Sequence, residues 1–175
     1  MAHQRQVIGE AIVALLTGQT TAGARVYLNR VEPLRSKEIP AVVVYVLGEK
    51  SEHGDTAPRE LKRELSVDIE ALVLLDDSAA STLNDIAQAI ETAMSADPSL
   101  DGEAGDSYLT GTDIAISQEG EQLLMSATLF YSVVYHTLAP EATADGDMDD
   151  FETVGAEHEL VGEPDVFTVE DPYES

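Results

Sequence analysis

The chain has 175 residues, 34 acids against nine Lys and Arg, a formal net charge of −25 and a pI near 4.1. That balance excludes direct binding of DNA or anionic lipid by the chain as a whole, because phosphate contacts need Lys and Arg. Zero Cys excludes disulfides, thiolate zinc sites and a cysteine nucleophile, and suits assembly in a cytosol.

The elements follow in chain order. Val7, Ile8, Ala11, Ile12, Leu15 and Leu16 recur at helical spacing, and Gly18 is a stop, so residues 4–17 read as an amphipathic helix. Residues 24–30 read as a strand. Pro33, Ser36 and Lys37 mark a loop, and the β-branched run 39–47 suits a central strand covered on both faces. The polar stretch 49–60, with Gly54 and Pro58, reads as a loop. Leu65, Val67, Ile69, Ala71, Val73 and Leu75 then alternate with Glu64, Ser66, Asp68 and Glu70, which requires a strand with one buried face, at least through its first half. Asp76, Asp77 and Ser78 suit a helix N-terminus. Leu83, Ile86, Ala87, Ile90 and Met94 give the helix itself, 79–95, ended by Asp97-Pro98. A Gly-containing loop (98–111) leads to a strand near 112–117, a turn at Glu119-Gly120 and a long partner strand, 122–137. On that strand Leu123, Met125, Ala127, Leu129, Tyr131, Val133 and Tyr135 share one face, and Ser126, Thr128 and Ser132 the other. The order α-β-β-β-α-β-β predicts an α+β fold, two helices packed on a mainly antiparallel sheet of about five strands.

Two domains of unlike composition are expected, 1–138 and 139–175. The second holds thirteen acids and no Lys or Arg, and reads as an acidic arm that cannot offset its own ordering entropy. Near its end Val166, Phe167, Val169 and Tyr173 form a small apolar cluster. They are candidates for docking on a neighbouring subunit, for instance by adding a strand to a sheet edge.

Charge is distributed as unevenly as hydrophobicity. All nine Lys and Arg lie in residues 1–63 with seven acids, and 27 acids follow with no cation to offset them. Such a chain offers unlike patches to another copy of itself. Arg25, Arg30, Arg35, Arg59, Lys62 and Arg63 are the candidate interface cations, with Asp68, Glu70, Asp85 and Glu91 among the acids they could meet.

Catalytic templates fail. The four histidines (His3, His53, His136, His158) accompany no Gly-x-Ser-x-Gly elbow and no nucleophile at readable spacing. Asp145, Asp147 and Asp149 approach a calcium loop, but position six is Asp150 and position twelve is Ala156. Phosphate-cradling glycine motifs are missing. The expectation is therefore no enzyme, no cofactor and no metal. No membrane segment is expected either, since Glu10 interrupts the early apolar run and VVVYVL (42–47) is far too short to span a bilayer.

The order of motifs carries a resemblance. A helix ending Leu-Leu-Thr-Gly precedes Ala-Gly-Ala-Arg-Val-Tyr-Leu-Asn-Arg (22–30) and Ile-Pro-Ala-Val-Val-Val-Tyr (39–45). Then come Ile-Ala-Gln-Ala-Ile-Glu-Thr-Ala-Met (86–94), Asp-Pro-Ser-Leu (97–100), Gly-Thr-Asp-Ile-Ala-Ile (111–116) and a Tyr-His-Thr ending. Over residues 4–138 the chain resembles the tail terminator proteins of long-tailed bacteriophages, the minor tail protein U type. The resemblance implies a structural virion protein and no catalytic residues. Its expected form is a homo-oligomeric ring, a hexamer, at the head-proximal end of the tail, assembled in the host cytoplasm. Its implied partners are the tail tube protein and the head-tail connector, with DNA passing through the lumen without specific binding. Alternative readings are another head-to-tail joining protein, a neck adaptor or stopper, or a small ligand-binding α+β module.

Overall fold

The strict alternation of the most regular strand sets the architecture. In the computed structural model, which describes residues 2–56, 59–119 and 122–139, this strand is β3 (Arg59–Leu74). Before it come α1 (Gln4–Leu16), β1 (Val26–Leu28) and β2 (Ala41–Thr56). After it come α2 (Ala79–Ala96), β4 (Asp106–Glu119) and β5 (Gln122–Leu138). One sheet results, in the order β1-β2-β3-β5-β4; β1 runs parallel to β2 and every other pair is antiparallel. The fold is α+β, and its element order is that expected from the sequence.

Leu65, Val67, Ile69, Ala71 and Val73 of β3 face both helices. Through the antiparallel register they lie beside Val133, Tyr131, Leu129, Ala127 and Met125 of β5. Ile8, Ile12 and Leu16 of α1 and Leu83, Ile86, Ile90 and Met94 of α2 close this layer from above. The opposite sheet face is covered only in part. There Leu34 and Ile39, from the connection between β1 and β2, pack with Ala41, Val43, Leu72 and Leu124 in a smaller cluster. The run 39–47 is therefore a strand with both faces covered at its start, as its composition predicts.

Helix ends follow local chemistry. The His3 imidazole caps α1 by accepting from the Arg5 backbone N–H at 3.2 Å. Gly18, at φ +79°, supplies the left-handed turn after the helix, a conformation costly for other residues. Gly9 lets α1 lie close to the sheet, since a Cβ there would stand 2.8 Å from Leu28 Cδ1. At α2 the capping role falls to Asp76: one carboxylate oxygen accepts from both the backbone N–H and the hydroxyl of Ser78, each at 2.8 Å.

Two expectations need correction. The stretch 49–60 is not simply a polar loop; β2 continues to Thr56 and β3 begins at Arg59, so the two strands form a long hairpin. Its composition misleads because no helix covers this end, so neither face has to be apolar. Likewise β4 begins at Asp106 and not near 112, with Gly111 at a register shift inside the strand rather than in a loop. The candidate docking residues Val166, Phe167, Val169 and Tyr173, the calcium-like Asp145–Asp149 stretch and His158 lie outside the described residues.

Burial separates isoleucines that look equivalent in the sequence. Ile69 is fully buried in the central strand, whereas Ile116 on β4 is 61% exposed. Ile69→Ala is expected to lower unfolding stability by about 2–5 kcal/mol, and Ile116→Ala by less than about 0.5 kcal/mol, as read by urea titration.

Candidate assembly surfaces

The six predicted interface cations divide into two spatial groups and two kinds of environment. Arg25, Arg30 and Arg35 flank β1 and the connection that follows it, while Arg59, Lys62 and Arg63 sit at the far end of β3. Arg30 and Arg63 are engaged within the subunit. Arg30 donates from Nη2 to both Glu38 oxygens, at 3.1 and 3.2 Å, and lies 4.4 Å from the centre of the Tyr27 ring. The Arg35 backbone N–H also donates to Glu38, and with Arg30 it holds that carboxyl below the usual range.

Arg63 belongs to a small polar network. Its Nη1 lies 2.5 Å from Glu49 Oε1, its Nε donates to Thr137 Oγ1 at 2.8 Å, and the Tyr135 hydroxyl donates to the other Glu49 oxygen. The Glu49 side chain is 8% exposed, and Arg5 stands 3.9 Å away. Burial pushes the Glu49 carboxyl upward. The Tyr135 hydroxyl and the Arg63 guanidinium outweigh it, leaving the pKa below the usual 4.5. Burial and the same contact push the Tyr135 phenol up to about 12. This network joins β2, β3 and β5 beside the first turn of α1, which contributes Arg5, so Arg63 is a fold residue before it is an interface residue.

Arg35, Arg59 and Lys62 are exposed, and Arg25 is half-buried with its Nε donating to the Pro40 carbonyl at 2.7 Å. Of the acids suggested as their counterparts, Asp85 and Glu91 are exposed on α2. Asp68 and Glu70 are half-buried on the sheet face away from the helices, and burial raises the Asp68 pKa.

The two edges of the sheet differ sharply. β4 is an edge strand of 14 residues, paired with β5 on one side and with no strand on the other among the described residues. Ile114, Ile116 and Leu123, on its helix-side surface and that of β5, are 57%, 61% and 50% exposed because α2 does not extend over them. Asp106 and Asp113 are on β4, and no Lys or Arg occurs in α2, β4 or β5. At the other edge, the three-residue β1 pairs with Val42–Val44 only, and beyond Val46 the outer side of β2 has no strand partner among the described residues. Leu47 is exposed there, and Arg5, Arg25 and Lys50 lie toward this edge, on α1, before β1 and on β2. Arg35 and Lys37 do not, because the connection after β1 crosses the sheet face away from the helices, where Gln122 of β5 donates to the Ser36 hydroxyl at 2.5 Å. The sequence reading missed Ile114, Ile116 and Leu123 as surface residues. The available signal was the presence of only two helical periodicities for five strands.

Among the described residues, no group of three or more His, Asp or Glu is placed to hold a metal ion, and no helix is long and apolar enough to cross a membrane. His53 and His136 are exposed and His3 serves as the α1 cap. In comparison with known proteins, no family model matches the chain and no curated protein matches it.

The Glu49 network carries a pH signature. Because the folded-state pKa of Glu49 is depressed, its contribution is fully present above 4.5 and is lost as pH falls through the lower folded value. Tyr135 behaves oppositely: its contribution holds below pH 10 and is lost as pH rises through about 12. Urea titrations across the acid range should show a shallower acid limb for Glu49→Gln than for the parent. Glu49→Ala, which leaves the Arg63 charge unpaired, is expected to cost about 3–5 kcal/mol at neutral pH.

Proposed function

We propose that the chain is a structural ring protein of the tail terminator kind. Copies associate head to tail, close a ring on the end of a phage tail tube, end tube polymerisation and present a surface to the head connector. The unlike edges of the sheet carry this reading. A long, partly apolar edge strand is a ready template for pairing and is seldom left bare in a native assembly. β4 itself carries acids and no Lys or Arg, while Arg5, Arg25 and Lys50 stand toward the β1–β2 edge, so contact between the unlike edges is favoured over contact between two β4 strands. Association between two different edges is heterologous, and heterologous contacts build rings or filaments rather than closed dimers. The apolar side chains Ile114, Ile116, Leu123 and Leu47 supply affinity; the charges set which edge meets which.

The sheet face away from the helices fits the passage of DNA. Glu64, Asp68, Glu70, Asp106 and Asp113 lie on it beside the hydroxyls of Ser66, Thr128 and Ser132, with Lys50 and Lys62 confined to one end. A lumen lined by the acidic part of that surface would repel phosphate. The hexameric state, the tube and connector partners and the place in the virion rest on the resemblance in the sequence; cytoplasmic assembly is inferred with them. An enzymatic role has no support in any motif found.

Particles assembled without this protein should carry overlong tails in electron micrographs. Tails of normal length detached from their heads would instead identify a neck adaptor or stopper and overturn the reading. For the edge contact, Ile114→Lys combined with Ile116→Lys should reduce capping of purified tubes by about tenfold or more, with the melting temperature nearly unchanged. Arg59→Glu with Lys62→Glu tests the other cation group without disturbing Arg63; unchanged capping would remove those two residues from the interface.

A further inference from the structure

The first helix has more apolar surface than the sheet can cover. Ile8, Ile12 and Leu16 are buried against the strands. Val7, Ala11, Ala14 and Leu15 form a second, adjoining stripe, because residues spaced by three and four share a helix face. A helix apolar over so much of its circumference is usually enclosed. Here the second stripe instead floors an open groove of about 490 Å³ between α1 and the loop that follows α2. From Val7 to Leu15 the floor runs about 12 Å at the helical rise, room for two turns of a partner helix.

The rim has one sign of charge. Glu10 stands on the α1 side, and Asp97, Asp101 and Glu103 stand on the loop side, with no Lys, Arg or His among the lining residues. Three of the carboxylates are held in place. Asp97 accepts from the Ser99 hydroxyl and the Asp101 backbone N–H, each at 2.8 Å; Glu103 accepts from Gln4 at 3.0 Å and Glu10 from Gln6 at 2.9 Å. The loop is fixed in turn, since the Glu103 carbonyl also accepts from Gln4 and Leu100 is buried beneath it.

We infer that this groove is a docking site for a cationic amphipathic helix of a different protein, its apolar side on Ala11, Ala14 and Leu15 and its Lys or Arg side chains reaching the rim carboxylates. Charge complementarity selects this occupant. The chain's own segment beyond residue 139 holds thirteen acids and no Lys or Arg, so the rim repels it. Apolar floor and charged rim together match the helix-in-groove mode of recognition, in which anchors at helical spacing seat in the floor. The inference goes beyond the ring reading and does not depend on it, since the groove lies on the helix layer and not at a sheet edge.

The test uses the full chain and two fluorescein-labelled probes at neutral pH and moderate salt. One is a helix-forming Leu/Lys peptide, the other a Gly/Lys peptide of equal length and charge. Fluorescence anisotropy should give at least about tenfold tighter binding of the Leu/Lys peptide. The variant Ala11→Gln/Ala14→Gln, which adds polar bulk to the floor without changing charge, should abolish that preference. Ala14→Gln alone, at an exposed position, should reduce it severalfold and serves if the double variant does not fold. Equal binding of the two probes by the parent chain, or a preference undiminished by Ala14→Gln, overturns the proposal. So does a change in the chain's own sedimentation on Ala14→Gln with the peptide preference intact, which would make the groove a contact between copies.

Discussion

Helices and strands advance at different rates along the chain, and this molecule is shaped by the mismatch. The 18 residues of α2 reach about 27 Å at 1.5 Å per residue, while the 17 of β5 reach about 56 Å at 3.3 Å per residue. Two helices therefore cover roughly half the length of the long strands, and only on one face. Where they lie, the sheet is sealed by Ile, Leu and Val at full burial. Where they stop, order has to come from strand pairing and polar contacts. The Glu49–Arg63–Tyr135 network lies at the margin of the covered region, where Arg5 of α1 still reaches Glu49; Ile114, Ile116 and Leu123 remain uncovered elsewhere.

This incomplete coverage links stability to association. A polar network can be satisfied inside one subunit, and Glu49 finds its partners there. Ile114 and Ile116 on the edge strand find no such cover among the described residues, and the outer side of β4 has no strand beside it there. The same shortfall leaves the second stripe of α1 open. Acids border the α1 groove and occur along β4, whereas exposed Leu47 lies toward the edge that carries Arg5, Arg25 and Lys50. Affinity at these surfaces would come from apolar area and selectivity from charge.

Much of the architecture was legible in the residues. Period-two alternation located β3 and β5, helical spacing located α1 and α2, and their order gave the α+β layering. What failed to show was the extent of the strands. Alternation betrays a strand only where apolar residues mark one dry face; most of Glu49–Thr56 is exposed, and in Asp106–Gly111 the buried position beside Val133 is taken by the polar Ser107. The candidate cations illustrate a second limit. Arg63 and Arg59 look alike in sequence, yet one is locked to Glu49 and Thr137 and the other is exposed, because antiparallel pairing brings Tyr135 beside Arg63. Contacts between residues 14 and 74 positions apart are not encoded in any local pattern.

The confinement of basic residues also has a practical side. Lys37, Lys50 and Lys62 are the only lysines, and all three are exposed on the connection after β1, the outer part of β2 and the start of β3. Chemistry directed at lysine amines will therefore label those three places and leave both helices, β4 and β5 untouched. A sensor surface coupled in this way would form its bonds away from every side chain of β4.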